Sequence, residues 1–406
     1  MKPSIRWVMV GAILLVLREV VPAADWTQFR GPGGVAVSEE TGFPLKWSET
    51  EGLRWKADLP GRGASSPVVA GGRVYVTASS GFKENKLHVL AFDATSGKKL
   101  WERTIWSTGS TQCHPKTCMA APTPVTDGKA VYALFATGDL AAFDVDGNQL
   151  WYRSLVSDYP TITNQVGMAS SPVLHKEVLM VPMDNAGESF LAGIDKKTGK
   201  NLWKIERARD INFLTPLVID NGGKAEVVFP SPKELAAYDV DTGHKRWSYE
   251  SADVASGIPS PFPGKDGLLI PGKQLVCLKP ATDGTTPTEL WKMSEMQTGH
   301  MTPLYYRDHI YGVNGAGALL CVDAAKGETV WKHRLKGPFS ASPVAAEGKI
   351  YLVNEEGTTF VVEPGAEPKT LATNKLKGPM LATPALADGA IFLRAEGTMY
   401  CVGAKK

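Results

Sequence analysis

Cysteine is scarce, with 5 in 406 residues, too few for a disulfide framework to stand in for a hydrophobic core. Long apolar runs are also missing. The longest, Trp7 to Leu17, falls well short of the about 20 residues a membrane-crossing helix needs. Neither sign of charge dominates, with 44 Lys+Arg against 42 Asp+Glu, so the chain lacks the positive field that holds a phosphate backbone, and nucleic acid is not expected as a partner. The chain also has no Cys-x-x-Cys-His, no Gly-x-Ser-x-Gly, no phosphate-cradling glycine loop and no His-Glu-x-x-His. Those absences exclude covalent haem and the commonest nucleophile, nucleotide and zinc-protease layouts.

Residues 1–24 have the layout of a secretory signal: Lys2 and Arg6, then the apolar run, then the small pair Ala23-Ala24. Export is therefore expected, with no transmembrane segment in the mature chain. Removing Lys2, Arg6, Arg18 and Glu19 leaves a chain of zero net charge.

What the chain has in surplus is glycine and tryptophan, 41 and 11 residues. The surplus lies in a repeat. Ala91 to Trp101, Gly193 to Trp203, Ala237 to Trp247 and Cys321 to Trp331 each carry Asp at the third place, Gly at the seventh and Trp at the eleventh. Ala142 to Trp151 is one residue shorter, and Cys277 to Trp291 carries an insertion with Lys279 in place of Asp. A Ser/Thr-Pro pair precedes each unit, at Ser66, Thr123, Ser171, Thr215, Ser260, Thr302, Ser342 and Thr383, with 40 to 57 residues between successive copies.

Each unit reads as four short antiparallel strands separated by glycine-bearing turns. One such sheet cannot cover both its faces, so neighbours must stack, and radial closure gives an all-β, eight-bladed propeller with one Trp per blade between adjacent sheets. Trp55, Trp101, Trp151, Trp203, Trp247, Trp291 and Trp331 take this blade-docking role, and blade seven lacks one. Unit eight ends without a Trp strand, while Leu45-Lys46-Trp47 and Leu53-Arg54-Trp55-Lys56 stand before unit one without a sheet. The N-terminal strand is thus expected to close the last blade. This gives an N-terminal extension at 25–44 and a single propeller domain at 45–406, expected to be a monomer.

The Ala-x-Asp-x-x-Thr-Gly-x-x-x-Trp repeats resemble those of the pyrroloquinoline-quinone (PQQ) repeat propellers. That superfamily holds both quinoprotein alcohol dehydrogenases and the propeller subunit of the outer-membrane assembly machinery. Asp25-Trp26-x-x-Phe29-Arg30-Gly31-Pro32 and Thr111 to Cys118 further resemble a group of these proteins common in planctomycete bacteria. For the enzymes, the resemblance implies an adjacent Cys pair over the cofactor, a Trp floor, oxygen ligands for Ca²⁺ and an Asp base. The present chain has no Cys-Cys dipeptide.

A propeller gathers on one face the loops before each inner strand and between the second and third strands. Arg62, His114, Lys116, Asn164, Gln165, Asn212 and His300 lie in the first set, with Asp158, Tyr159, Arg209 and Asp210. Asp184 and Asn185 lie in the second, with Glu188, Lys233, Asn314 and Glu355. These are the candidate channel-mouth residues. Asp184, Asn185 and Asn164 offer oxygen to a hard cation, although Asp and Asn in loops more often bond their own backbone. The repeat residues Asp93, Asp144, Asp195, Asp239 and Asp323 fall at turns and read as structural.

Cys277, Cys321 and Cys401 share a small-residue slot with Ala91, Ala141, Gly193 and Ala237, and read as buried thiols. Cys113 and Cys118 lie in one long loop, where the plain reading in an exported chain is a local disulfide. The alternative is a zinc set with His114 and His300. The function expected is a non-catalytic, exported scaffold that binds an envelope or periplasmic protein through its loop face, with no catalytic residue, resident metal or cofactor. Two rivals stay open: a quinoprotein-type oxidoreductase holding PQQ and Ca²⁺ in the channel, and a glycan-binding propeller.

Overall fold

The computed structural model describes residues 25–163, 165–232, 234–251, 253, 257–282 and 284–404. The expected signal at 1–24 and the loop candidates Asn164 and Lys233 lie outside these residues. The described residues form eight sheets, seven of four antiparallel strands and one of four antiparallel strands with a fifth added parallel, arranged as an eight-bladed β-propeller. Blade one comprises Val68–Ala70, Arg73–Ser80, Lys86–Asp93 and Lys99–Trp106, running from channel to rim. Blades two to seven repeat that order. A single turn of α-helix, Leu155–Asp158, follows blade two.

Local chemistry makes the repeat fold this way. At the turn before the outer strand, the Asp93 carboxylate accepts the Ser96 N–H at 2.7 Å, and Gly97 supplies a φ of +71° that a side chain resists. A β-bulge follows in which Lys99 opposes Phe92 and Trp101 opposes Ala91, leaving Leu100 unpaired and pointing outward. The bulge aims Trp101 at the next blade and blunts an exposed edge. The same register shift stands before Trp55, Trp151, Trp203, Trp247, Trp291 and Trp331.

Six of these indoles donate to a turn carbonyl of the following blade. Trp55, Trp101, Trp151, Trp203, Trp291 and Trp331 reach Ala94, Val145, Lys196, Val240, Ala324 and Gly365 at 2.8 to 3.0 Å. The ring then lies on the turn glycine: a Cβ on Gly97 would stand 2.5 Å from Trp55. Trp247 differs, donating to the buried Glu226 carboxylate at 2.7 Å. The turn it faces is the enlarged one of blade five, and Asn221 bridges the gap by donating to Ala281 O at 2.7 Å.

The small slot lies directly opposite each Trp in the sheet. Ala91, Gly193, Ala237, Cys277, Cys321 and Cys401 oppose Trp101, Trp203, Trp247, Trp291, Trp331 and Trp55. In blade two the slot is Ala142 rather than Ala141, because the shortened turn moves the register by one residue. A Cβ on Gly193 would stand 2.1 Å from the Trp203 ring, which explains why only small side chains occupy the position.

The N-terminal segment closes the ring and does more. Leu53–Asp58 pairs antiparallel with Thr398–Val402, completing blade eight. Ahead of it, residues 25–44 cross one end of the central channel. Trp26 exchanges backbone bonds with Val69 at 2.7 and 2.9 Å, Thr27 O accepts from Thr126 N at 2.9 Å, and Val37–Ser38 runs parallel to the inner strand of blade seven. Arg30 reaches across to blade six, donating to Thr302 O at 2.9 Å and Pro303 O at 2.8 Å.

Candidate functional site

Each Ser/Thr-Pro pair stands where an inner strand begins, and in seven of the eight the backbone N–H of the Ser or Thr donates to the hydroxyl of the next pair around the channel. Ser66 donates to Thr123, Thr123 to Ser171, Ser171 to Thr215 and Thr215 to Ser260, at 2.9 to 3.2 Å. Ser260 to Thr302, Thr302 to Ser342 and Ser342 to Thr383 continue it at 2.9 to 3.0 Å. The result is a belt of hydroxyls joining adjacent blades. Its gap is the seam between blade eight and blade one, where the Ser66 hydroxyl has no hydrogen-bond partner among the described residues.

The belt encircles a cavity of about 420 Å³. Phe29, from the segment crossing the channel, forms its floor, and Val166, Phe213, Ile258 and Leu381 supply apolar wall. His114, Lys116 and His300 line it and are also exposed, which marks the mouth. Lys116 Nζ donates to both oxygens of Glu355 at 3.1 Å, and Ser340 donates to the same carboxylate at 2.7 Å. His114 Nδ1 accepts the Lys116 N–H at 3.1 Å, which leaves Nε2 as the ring's donor. Desolvation, then Lys116, hold the His300 pKa below the ordinary histidine value, with Glu355 opposing and His114 adding to the shift. His300 is therefore a neutral donor and acceptor at pH 7.

The structure thus gathers His114, Lys116, His300 and Glu355 at the mouth and sends the other candidates elsewhere. Arg62 clamps a seam, bonding Glu84 at 2.9 Å, Pro115 O at 3.0 Å and the Glu396 carboxylate. Gln165 is exposed on the loop that leads to Val166. Asp184 is buried in a forked pair with Arg207 at 2.8 to 3.1 Å and accepts from Asn212 Nδ2 at 2.9 Å. Asn185 spends its amide on its own loop, donating to Met183 O and Glu188 O and accepting from Thr163 and Gly187. Asn212 likewise spends its side chain on Asp184, Pro230 O and Leu214 N.

Asp184 and Asn185 are therefore consumed by internal bonds: Asp184 and Asn212 hold the seam between blades three and four, and Asn185 holds its own loop. Among the described residues no three His, Cys, Asp or Glu side chains cluster as a metal site would require. The repeat carboxylates act as turn acceptors. Asp93, Asp144 and Asp195 have pKa values below the usual carboxylate range, held there first by bonds from Ser96, Asn148 and Thr198 respectively.

Cys113 and Cys118, expected from sequence as a local disulfide, both carry free thiols in this structure. Cys113 Sγ faces Thr117 O at 3.8 Å and packs against Gly167, whereas Cys118 is buried in the core beside Met119 and Ala120. Burial raises the Cys118 pKa to about 11, so the thiol stays protonated.

Three features escape a reading of motifs: the hydroxyl belt, the Phe29 floor and two buried arginines. Arg30 and Arg394 are 2% and 1% exposed, and neither bonds a carboxylate. One sequence signal for the belt existed. All eight positions before the proline are Ser or Thr, a restriction to hydroxyls that strand propensity alone does not impose.

A family model described as outer membrane protein assembly factor BamB matches residues 29–181, 161–260 and 273–366. In sequence the chain is 24% identical over 260 residues to the outer membrane protein assembly factor BamB of Shewanella oneidensis, a match covering 59% of this chain and 63% of that one. It is also 24% identical over 350 residues to a polyvinylalcohol dehydrogenase of Sphingopyxis, covering 74% and 49%. The chain spans less than two thirds of the length of either relative. Among solved structures, BamB from Moraxella catarrhalis superposes with a TM-score of 0.65 at 14% identity, covering 87% of this chain and 97% of that one. The quinohemoprotein alcohol dehydrogenase of Comamonas testosteroni gives 0.68 at 13% identity, covering 96% and 81%. At these identities the likeness is one of fold.

Proposed function

The chain belongs to the family described as outer membrane protein assembly factor BamB, and from that premise we propose that it is an exported, non-catalytic scaffold that binds another cell-envelope protein through its loop face. The observation that carries this reading is how the polar side chains of that face are used. Asp184, Asn185 and Asn212 are consumed in seams between blades and within loops, while His114, Lys116 and His300 stand exposed around one opening. Such a rim of exposed polar groups around an apolar centre fits a protein interface.

The donor set does not fit PQQ with Ca²⁺. Its best oxygen ligands already neutralise Arg207 or hold backbone, and the channel floor is Phe29 rather than Trp. Fold likeness to a dehydrogenase does not supply the missing ligands.

Site-specific photocrosslinking tests the proposal. A crosslinker at Gln165 or His300 is expected to trap one envelope protein, and Lys116→Glu is expected to abolish that product while leaving the melting temperature unchanged. A stoichiometric adduct with PQQ and Ca²⁺ in native mass spectrometry would instead establish the cofactor reading.

A further inference from the structure

We propose that the closed channel binds a small organic anion with an apolar body, its charged head seated at the seam between blade eight and blade one. The proposal concerns the channel interior and stands apart from partner binding at the rim.

The first argument is enclosure. Phe29 closes one end, and the cavity of about 420 Å³ falls in the range of roughly 300 to 1,000 Å³ typical of small-molecule sites. Its walls at Phe213, Ile258 and Leu381 suit an aromatic or aliphatic body.

The second is hydrogen bonding. A hydroxyl oxygen that accepts an N–H bond has a polarised O–H, so it donates more strongly in turn. The seven belt hydroxyls accept in this way, and none has an acceptor for its own hydrogen among the described residues. At the gap, Ser66 is 2% exposed, lines the cavity and has no partner for its hydroxyl among the described residues. Donors without acceptors call for an acceptor-rich ligand.

The third is charge. Arg394 lies beside that gap, bonding Ser65 O at 3.2 Å and the Ser65 hydroxyl, while its Nε and Nη2 have no partner among the described residues. Arg30, next to Phe29 beneath the belt, bonds three carbonyls. Burial lowers both pKa values, to about 10 and about 9, yet each guanidinium remains charged at neutral pH. At the mouth, Glu355 is already tied to Lys116 and Ser340. Two buried positive charges that hydrogen-bond no carboxylate among the described residues, with Glu396 within electrostatic reach of Arg394, act through a low-dielectric wall where their field is weakly screened. An anion in the channel offsets them, and a neutral ligand does not.

Fluorescence titration of the full chain with anilinonaphthalene sulfonate, against uncharged phenylnaphthylamine of the same ring skeleton, tests this. One sulfonate probe per chain is expected, at least about tenfold tighter than the neutral one, as one charge-assisted bond provides. Ser66→Ala should weaken the sulfonate several-fold and leave the neutral probe unchanged, and Ile258→Trp in the cavity wall should exclude both. Equal affinity for the two probes in the native chain, no binding of the sulfonate, or binding that survives Ile258→Trp in a folded variant would each overturn the proposal. Failure here leaves the photocrosslinking outcome untouched.

Discussion

Trp47 packs on Tyr351 with ring centroids 6.2 Å apart, giving blade seven the aromatic partner its own outer strand lacks. In blades one, two and six the equivalent tyrosines, Tyr75, Tyr132 and Tyr311, meet the blade's own Trp101, Trp151 and Trp331 at 6.0 to 6.1 Å. In blade seven, Ala372 stands at the Trp position, opposite Val361 and Tyr351. The indole therefore arrives from the N-terminal segment, anchored by Trp47 N donating to Asn374 Oδ1 at 2.9 Å.

Trp47→Ala should accordingly cost about 3–5 kcal/mol, the range for emptying a buried aromatic site. Trp47→Phe should cost less than about 1.5 kcal/mol, because the Trp47 Nε1 has no hydrogen-bond partner to lose. Urea unfolding of the two variants checks the contrast, and equal costs would show that the indole is not acting as a volume-filling plug.

The belt makes a separate prediction. Thr302→Val leaves the Ser260 N–H, now bonded at 2.9 Å, buried without an acceptor, at a cost of about 1–3 kcal/mol. Thr302→Ser retains the hydroxyl and should recover most of that loss. Hydrogen exchange at the Ser260 amide should rise in the valine variant alone, which distinguishes a lost belt bond from general loosening.

Acid should destabilise the propeller through its turns. Asp93, Asp144 and Asp195 are held below the ordinary aspartate value of 3.8 by hydrogen bonds. A carboxylate depressed in the folded state contributes stability that is complete above its unfolded pKa and is lost as pH falls through the folded value. The melting temperature should therefore decline from about pH 4 downward, and an Asp93→Asn variant should show a shallower decline. An unchanged slope in that variant would remove this turn from the acid response.

The repeat was legible in sequence because its causes are local. An Asp that accepts turn N–H groups, a Gly at positive φ and an outer-strand Trp recur at fixed offsets, and each specifies its own turn, bulge or docking contact. The number of blades and the strand borrowed from the N-terminus follow by counting units. Which channel-mouth residues stay available was not legible, since that depends on partners far away in the chain. Asp184 resembles a free loop carboxylate until Arg207 and Asn212 are folded onto it.

Sequence by itself determined an all-β propeller of eight blades, because periodic turn and docking residues act over a few positions and repeat. Only the tertiary structure decided that residues 25–44 cross the channel, that Phe29 closes it and that Arg30 and Arg394 lie buried beside it without carboxylates. Arg30 and Thr302 stand 272 positions apart, and no local rule of turn, strand or periodicity links two such residues. Closure of the ring sets their distance.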